Sequence, residues 1–110
     1  MLKTRDEAKI KNYLRKKEGS TASYPYTKTL AVFSVNEVPF AYLESGRSLL
    51  ELSLRADREL SKLLRTKYEE VSLGHKLDKR IWITIVLSGQ LTLEELFALI
   101  DHSYQLAALA

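Results

Sequence analysis

The sequence predicts an α+β domain, a mostly antiparallel sheet packed with three helices in the order α-β-β-β-α-β-α. Three observations carry this. Apolar residues recur at helical spacing in three stretches, each behind a capping residue: Thr4, Asp57 or Thr92. Between positions 30 and 55 three strand-like runs follow one another with short joins, and a parallel return would need a crossover of about a dozen residues, so they make an antiparallel meander. Finally, Ile81, Ile83, Ile85 and Leu87 alternate with Trp82, Thr84 and Val86. A strand apolar on both faces is central in a sheet and covered on both sides.

Taken in order, Thr4-Arg5-Asp6-Glu7 has the capping-box form, Ile10, Tyr13 and Leu14 follow at helical spacing, and Gly19 is placed to end the helix. Residues 20–29, with Tyr24-Pro25-Tyr26, read as a crossing segment or an edge strand, because Pro25 offers no amide to a ladder. Leu30–Val35, Pro39–Glu44 and Leu49–Arg55 are the meander, joined by Asn36-Glu37 and by Ser45-Gly46-Arg47. In the third run, Leu50, Leu52 and Leu54 alternate with Glu51, Ser53 and Arg55, one buried face against one wet face. Asp57 caps a helix whose inner face is Leu60, Leu63, Leu64 and Tyr68. After the two-faced strand, Thr92-Leu93-Glu94-Glu95 is a second capping box with Leu91 and Leu96 as its hydrophobic staple, and Leu96, Ile100, Tyr104 and Ala107 form the inner stripe of the last helix.

The composition bounds the function. The 110 residues, 45% hydrophobic and 28% charged, fit one domain spanning 1–110. With no cysteine, disulfides, thiol catalysis and thiolate metal sites are excluded together, which fits a reducing, cytoplasmic setting. No apolar run reaches the roughly 18 residues of a membrane span, and no secretory signal opens the chain. The net charge is +3, and residues 1–18 hold seven basic groups against three acidic ones, so the remainder is close to neutral. That first helix is either a solvated face or a surface for an acidic partner.

No arrangement of residues dictates a reaction. His75 and His102 are the only histidines and lack metal spacing. Asp101-His102-Ser103 has the residue types of a triad, but helical neighbours diverge by about 100° and cannot relay a proton, so the run is read as structural. Glu94-Glu95 serves the helix start, and the isolated glycines make no phosphate loop. Trp82 is read as a core anchor rather than a base-stacking platform. The lead that remains is a short basic turn, Lys76, Lys79 and Arg80, held close to the rigid two-faced strand, with Arg47 on a hairpin tip.

Asp57 to Tyr68, then Gly74, Lys79-Arg80, Trp82 and Thr84, then Gly89, and finally Leu99-Ile100-Asp101-His102-Ser103-Tyr104 resemble the MmcQ/YjbR family over nearly the whole chain. The most specific pieces are Lys-Arg-x-Trp-x-Thr and Asp-His-Ser-Tyr. The resemblance implies a CyaY-like α+β fold with a double-wing arrangement, for which DNA binding has been proposed and to which no enzymatic activity is attached. A frataxin-like iron role would call for an acidic surface, and the first helix is basic. The central turn departs from the family's Gly-Tyr-His-Met-Asn-Lys-Lys/Arg-His-Trp-Asn-Thr by carrying His75, Lys76, Leu77, Asp78, Ile81 and Ile83.

The expectation is therefore a non-enzymatic protein without metal or cofactor. It would make weak, salt-sensitive, sequence-tolerant contacts with DNA phosphates through Lys76, Lys79, Arg80 and Arg47. The rival is a protein-interaction or regulatory module docking a partner on its sheet or terminal helix, with the apolar tail Leu106-Ala107-Ala108-Leu109-Ala110 packing on the domain or, in self-association, on a second copy.

Overall fold

In the computed structural model, residues 4–74 and 77–110 are described. They form α1 (Thr4–Lys16), β1 (Ser20–Ser23), β2 (Leu30–Val35), β3 (Val38–Glu44), β4 (Glu51–Arg55), α2 (Arg58–Lys67), β5 (Val71–Leu73), β6 (Trp82–Val86) and α3 (Leu93–Ala108). All six strands join one antiparallel sheet in the order β1-β2-β3-β4-β6-β5. The meander and the three helices stand as expected, and two short strands extend the expected order. The 20–29 segment supplies edge strand β1, with Pro25 outside it, and β5 closes the other edge. The two-faced strand β6 is therefore one strand in from an edge rather than central.

Register explains which face is which. Ala31, Leu43, Leu52, Ile85 and Val71 form one row across the sheet, and Phe33, Ala41, Leu54 and Ile83 form another. Both rows join Ile10 and Leu14 of α1, Leu64 of α2 and Leu96, Ile100 and Ala107 of α3 in a single core. The three helices thus cover one face of the sheet, and the other carries none among the described residues. Between Phe33 and Ser34 the register shifts, so Phe40 is an extra residue in β3. Phe40 meets Tyr104 of α3 edge to face at 5.4 Å. The bulge also tolerates the missing amide of Pro39 inside a strand.

The joins follow local chemistry. Gly19 has φ +75 just beyond α1, the left-handed conformation that ends a helix. Asn36 and Glu37 have φ 51 and 66, as a two-residue hairpin turn requires at both central positions. Asp57 Oδ1 accepts the Leu60 amide at 2.8 Å. At α3 the capping box is complete, Thr92 Oγ1 accepting from Glu95 N at 3.1 Å and Glu95 Oε1 from Thr92 N at 2.9 Å. The capping box expected at Thr4 falls outside the described side chains.

Three expectations are corrected. Leu63 is 62% exposed, because α2 packs against the short edge strand β5, which covers Leu60 and Leu64 but not the helix flank. Ile81 precedes β6 and is exposed, whereas Ile83, Ile85 and Leu87 are buried. The third strand begins at Glu51 rather than Leu49, and its expected wet face includes Ser53, which is buried. The apolar tail, expected on the domain or on a second copy, packs on the domain in part: Ala107 belongs to the core and Leu109 is 87% exposed.

Candidate functional site

The basic loop between β5 and β6 is built on close backbone approach. Gly74 N donates to the Trp82 carbonyl at 2.8 Å, and a Cβ on Gly74 would stand 2.7 Å from Trp82 Cβ and 3.1 Å from its carbonyl oxygen. Asp78 organises the far side. Its carbonyl accepts from Ile81 N and Trp82 N at 3.0 and 2.9 Å, and its Oδ1 accepts from Arg80 N at 2.9 Å.

The four sequence-predicted cations fare differently. Lys76, like His75 beside it, lies outside the described residues. Arg80 closes a fork on Asp78, Nε to Oδ1 at 3.2 Å and Nη2 to Oδ2 at 3.1 Å. That contact holds the Asp78 carboxyl below its usual range and raises the Arg80 guanidinium. Arg47 Nε lies 3.5 Å from Glu51 Oε2. Lys79 is exposed and forms no ion pair among the described residues.

What the chain does bring together is a cleft of about 500 Å³ on the helix-free face. Tyr42, Ser53 and Thr84 are register partners across β3, β4 and β6, and they form its floor, with the Ser53 and Thr84 hydroxyls hydrogen-bonded at 2.8 Å. Leu30, Glu44 and Glu51 make the next row along the sheet. Tyr26 and Thr27 of the β1–β2 segment line one side, and Arg47 and Leu77 complete the wall. Arg47 and the basic loop therefore meet at this cleft, the loop through Leu77 and not through Lys79 or Arg80.

Beside the floor, the Arg55 guanidinium lies 4.9 Å from the Trp82 ring, and Trp82 meets Tyr42 edge to face at 5.1 Å. Arg55 is fixed by its Nε donating to Pro39 O at 2.6 Å. Trp82 is buried, but under Arg55 and Tyr42 on the helix-free side rather than in the helical core. Burial, then the nearby Tyr26, pushes the Tyr42 hydroxyl up from the ordinary phenol value. Glu44 is held below the usual carboxylate range, first by its hydrogen bond with Thr29 and also by the Gly46 amide, which donates to its Oε2 at 3.1 Å.

Asp101-His102-Ser103-Tyr104 has no catalytic geometry, because its side chains diverge. Asp101 accepts from the Tyr13 hydroxyl at 2.7 Å and from Lys17 on the α1 side. His102 Nε2 stands 3.4 Å from Asp57 Oδ2 without hydrogen-bond alignment. Ser103 donates to Phe40 O at 2.5 Å and accepts from Arg55 N at 2.8 Å, and the Tyr104 hydroxyl donates to Glu18 O. Asp101, Ser103 and Tyr104 are thus the pegs that fasten α3 to the α1 side and to the sheet.

Sequence reasoning missed the role of Glu70, a carboxylate only 7% exposed. Its oxygens accept from Ser88 N and Ser88 Oγ at 2.9 and 2.8 Å and from Leu91 N at 2.8 Å, ordering the chain that leads into α3. A buried Glu at the start of a strand leaves no periodic signal. Among the described residues no group of three or more His, Asp or Glu stands where it could hold a metal ion, and no helix is long and apolar enough to cross a membrane.

Comparison with known proteins agrees with this architecture. The family model described as YjbR matches residues 15–106. The Escherichia coli K12 protein YjbR, itself uncharacterized, is 29% identical over 100 residues, covering 91% of this chain and 85% of its own length. A crystal structure of a Deinococcus radiodurans protein with a DUF419 domain superposes with a TM-score of 0.84 at 26% identity, over 91% of this chain and 76% of that one. A Pseudomonas syringae crystal structure gives 0.79 at 25% identity, over 96% and 99%.

Proposed function

The chain belongs to the YjbR family, and from that premise and the geometry of the helix-free face we propose that it is a non-enzymatic module that binds a partner there. The observation that carries this reading is the cleft of about 500 Å³ framed by two loops, a size within the range of about 300–1,000 Å³ usual for ligand sites. Its polar groups are arranged for recognition and not for turnover. Ser53 and Thr84 bond to each other, and among the described lining residues there is no histidine. An acid–base carboxylate pair needs one member kept protonated; Glu44 is held the other way and Glu51 faces Arg47.

Contact with DNA phosphates is a second reading, favoured by the unpaired Lys79 and by the Arg80 side chain, 81% exposed on the same loop. The fork on Arg80 and the ion pair of Arg47 with Glu51 leave it fewer unpaired cations than the sequence alone offers. Self-association through the terminal helix has less support, since Ala107 is committed to the core.

One NMR experiment on the full chain separates the readings. Within a set of small neutral, anionic and cationic organic fragments, at least one class is expected to shift the amide signals of Tyr42, Ser53 and Thr84, and scattered or absent shifts from every class refute the cleft. A short duplex is expected to act on Lys79 and Arg80 at low salt and to lose its effect toward physiological salt; no shift at low salt refutes the DNA reading.

A further inference from the structure

The lining of the cleft selects the charge of its occupant, an inference that rests on reading the helix-free face as the binding surface. Glu44 and Glu51 are register partners on β3 and β4, so their side chains leave the sheet side by side, and both border the cavity. Like charges directly opposite on paired strands repel. Against these two carboxylates the described lining residues supply one cation, Arg47, which faces Glu51 from a side chain more than half exposed. Glu44 accepts hydrogen bonds but forms no ion pair among the described residues. Among the described residues the lining thus carries a net negative charge, on a wall that combines Tyr26, Tyr42, Leu30 and Leu77 with the hydroxyls of Thr27, Ser53 and Thr84.

That combination fits one kind of group. A bare inorganic cation makes no use of the apolar wall, and a phosphate meets two carboxylates. A long side chain with a cationic head uses all of it: the carboxylates take the charge, the tyrosine rings offer cation–π contact, and the leucines cover the methylene stem. We infer that the cleft receives an arginine or lysine side chain presented by a partner polypeptide, its head at Glu44 and Glu51 and its stem along Leu30 and Leu77. The polypeptide source follows from the rim. Tyr26 lines the cleft while 69% exposed, and Tyr24, two residues earlier, is also exposed; exposed aromatics beside a pocket for arginine are the makings of a protein-binding hot spot. In the unliganded protein Arg47 is the internal competitor for Glu51.

The test is an NMR titration of the full chain with capped tripeptides, acetyl-Gly-X-Gly-amide, in which X is arginine, lysine, norleucine or glutamate, beside the fragment set above. The arginine and lysine peptides are expected to shift Tyr42, Glu44, Glu51 and Ser53 saturably. Replacing both acids (Glu44→Gln with Glu51→Gln) is expected to weaken the arginine peptide about tenfold, and Arg47→Ala to tighten it about threefold, with no change for norleucine. Arg47→Ala alters only a turn side chain, so it keeps the test decisive even if the double glutamine variant unfolds. Norleucine or glutamate binding as tightly as arginine, or an arginine affinity indifferent to Arg47→Ala, overturns the inference and leaves the cleft as a site. Shifts that grow with protein concentration alone make a second copy the occupant and overturn it as well. Silence from every peptide and every fragment overturns both the inference and the reading beneath it.

Discussion

Asp78 and Arg80 share three hydrogen bonds across one turn, two through the guanidinium and one through the Arg80 amide. This fork fixes the turn ahead of β6 and offsets, with the Asp78 carboxylate, part of the charge that Lys79-Arg80 displays in sequence. Replacing Asp78 by Asn keeps an acceptor for the amide and removes the counter-charge. If the loop touches DNA, Asp78→Asn is expected to raise affinity for a short duplex about threefold at low salt. Fluorescence anisotropy measures it, and an unchanged affinity would show that Arg80 takes no part in any such contact.

Ser103 is fully buried, and its hydroxyl joins the Phe40 carbonyl to the Arg55 amide. In Ser103→Ala both backbone groups lose their partner in a site without room for an easy replacement. The expected cost is about 1–3 kcal/mol, read as a lowered urea midpoint with the slope unchanged. A loss well below that range would mean that the bulge relaxes and the two backbone groups find other partners.

The elements with a strong local signal were legible. The Leu30–Val35 run coincides with β2 because it is a short, nearly continuous apolar run bounded by turn residues, and Asp57 and Thr92 cap α2 and α3 because a cap is chemistry within one turn. Ser20–Ser23 and Val71–Leu73 are strands only by virtue of their neighbours: the first has no apolar alternation and the second is three residues long. Helical spacing placed Leu63 on the inner face because period alone does not say how wide the covering surface is. The same limit hid the cleft. Glu51 and Ser53 read in sequence as the wet face of one strand and Thr84 as part of a two-faced apolar strand, and only the register of β3, β4 and β6 sets them and Glu44 side by side.

Glu70 illustrates a buried charge satisfied by donors of one neighbouring segment, Ser88 and Leu91. Glu70→Gln turns one acceptor oxygen into a donor facing other donors. Stability is expected to fall by about 2 kcal/mol, measured by urea unfolding. Hydrogen exchange at Ser88 and Leu91 is expected to quicken ahead of the strands. Unchanged protection there would mean that the segment holds its shape without the carboxylate.

At the β2–β3 turn, Glu37 holds φ 66, a conformation that an L side chain enters at a cost and that glycine adopts freely. Glu37→Gly produces the Asn-Gly pair favoured in such turns and is expected to stabilise the chain by about 1 kcal/mol, visible as a higher Tm. A fall in Tm would mean that the unfolded chain gains more freedom from glycine than the turn gains in fit.

Acid is expected to destabilise the fold through carboxylates whose charged forms are hydrogen-bonded. Glu95 is held below its usual 4.5 chiefly by the Thr92 amide and also by the Tyr68 hydroxyl, which donates to its Oε2 at 3.0 Å. Glu44 is shifted the same way by Thr29 and Gly46. A folded-state pKa below the unfolded value contributes stability that is present above the unfolded pKa and lost as pH falls through the folded one. The urea midpoint should therefore be nearly flat above about pH 6 and decline below about pH 4.5. Glu95→Gln is expected to lower the midpoint at neutral pH, because the capping box loses its charge, and to make the acid decline shallower. Equal slopes in the two proteins would assign the acid sensitivity to Glu44 and Asp78 and remove Glu95 from the account.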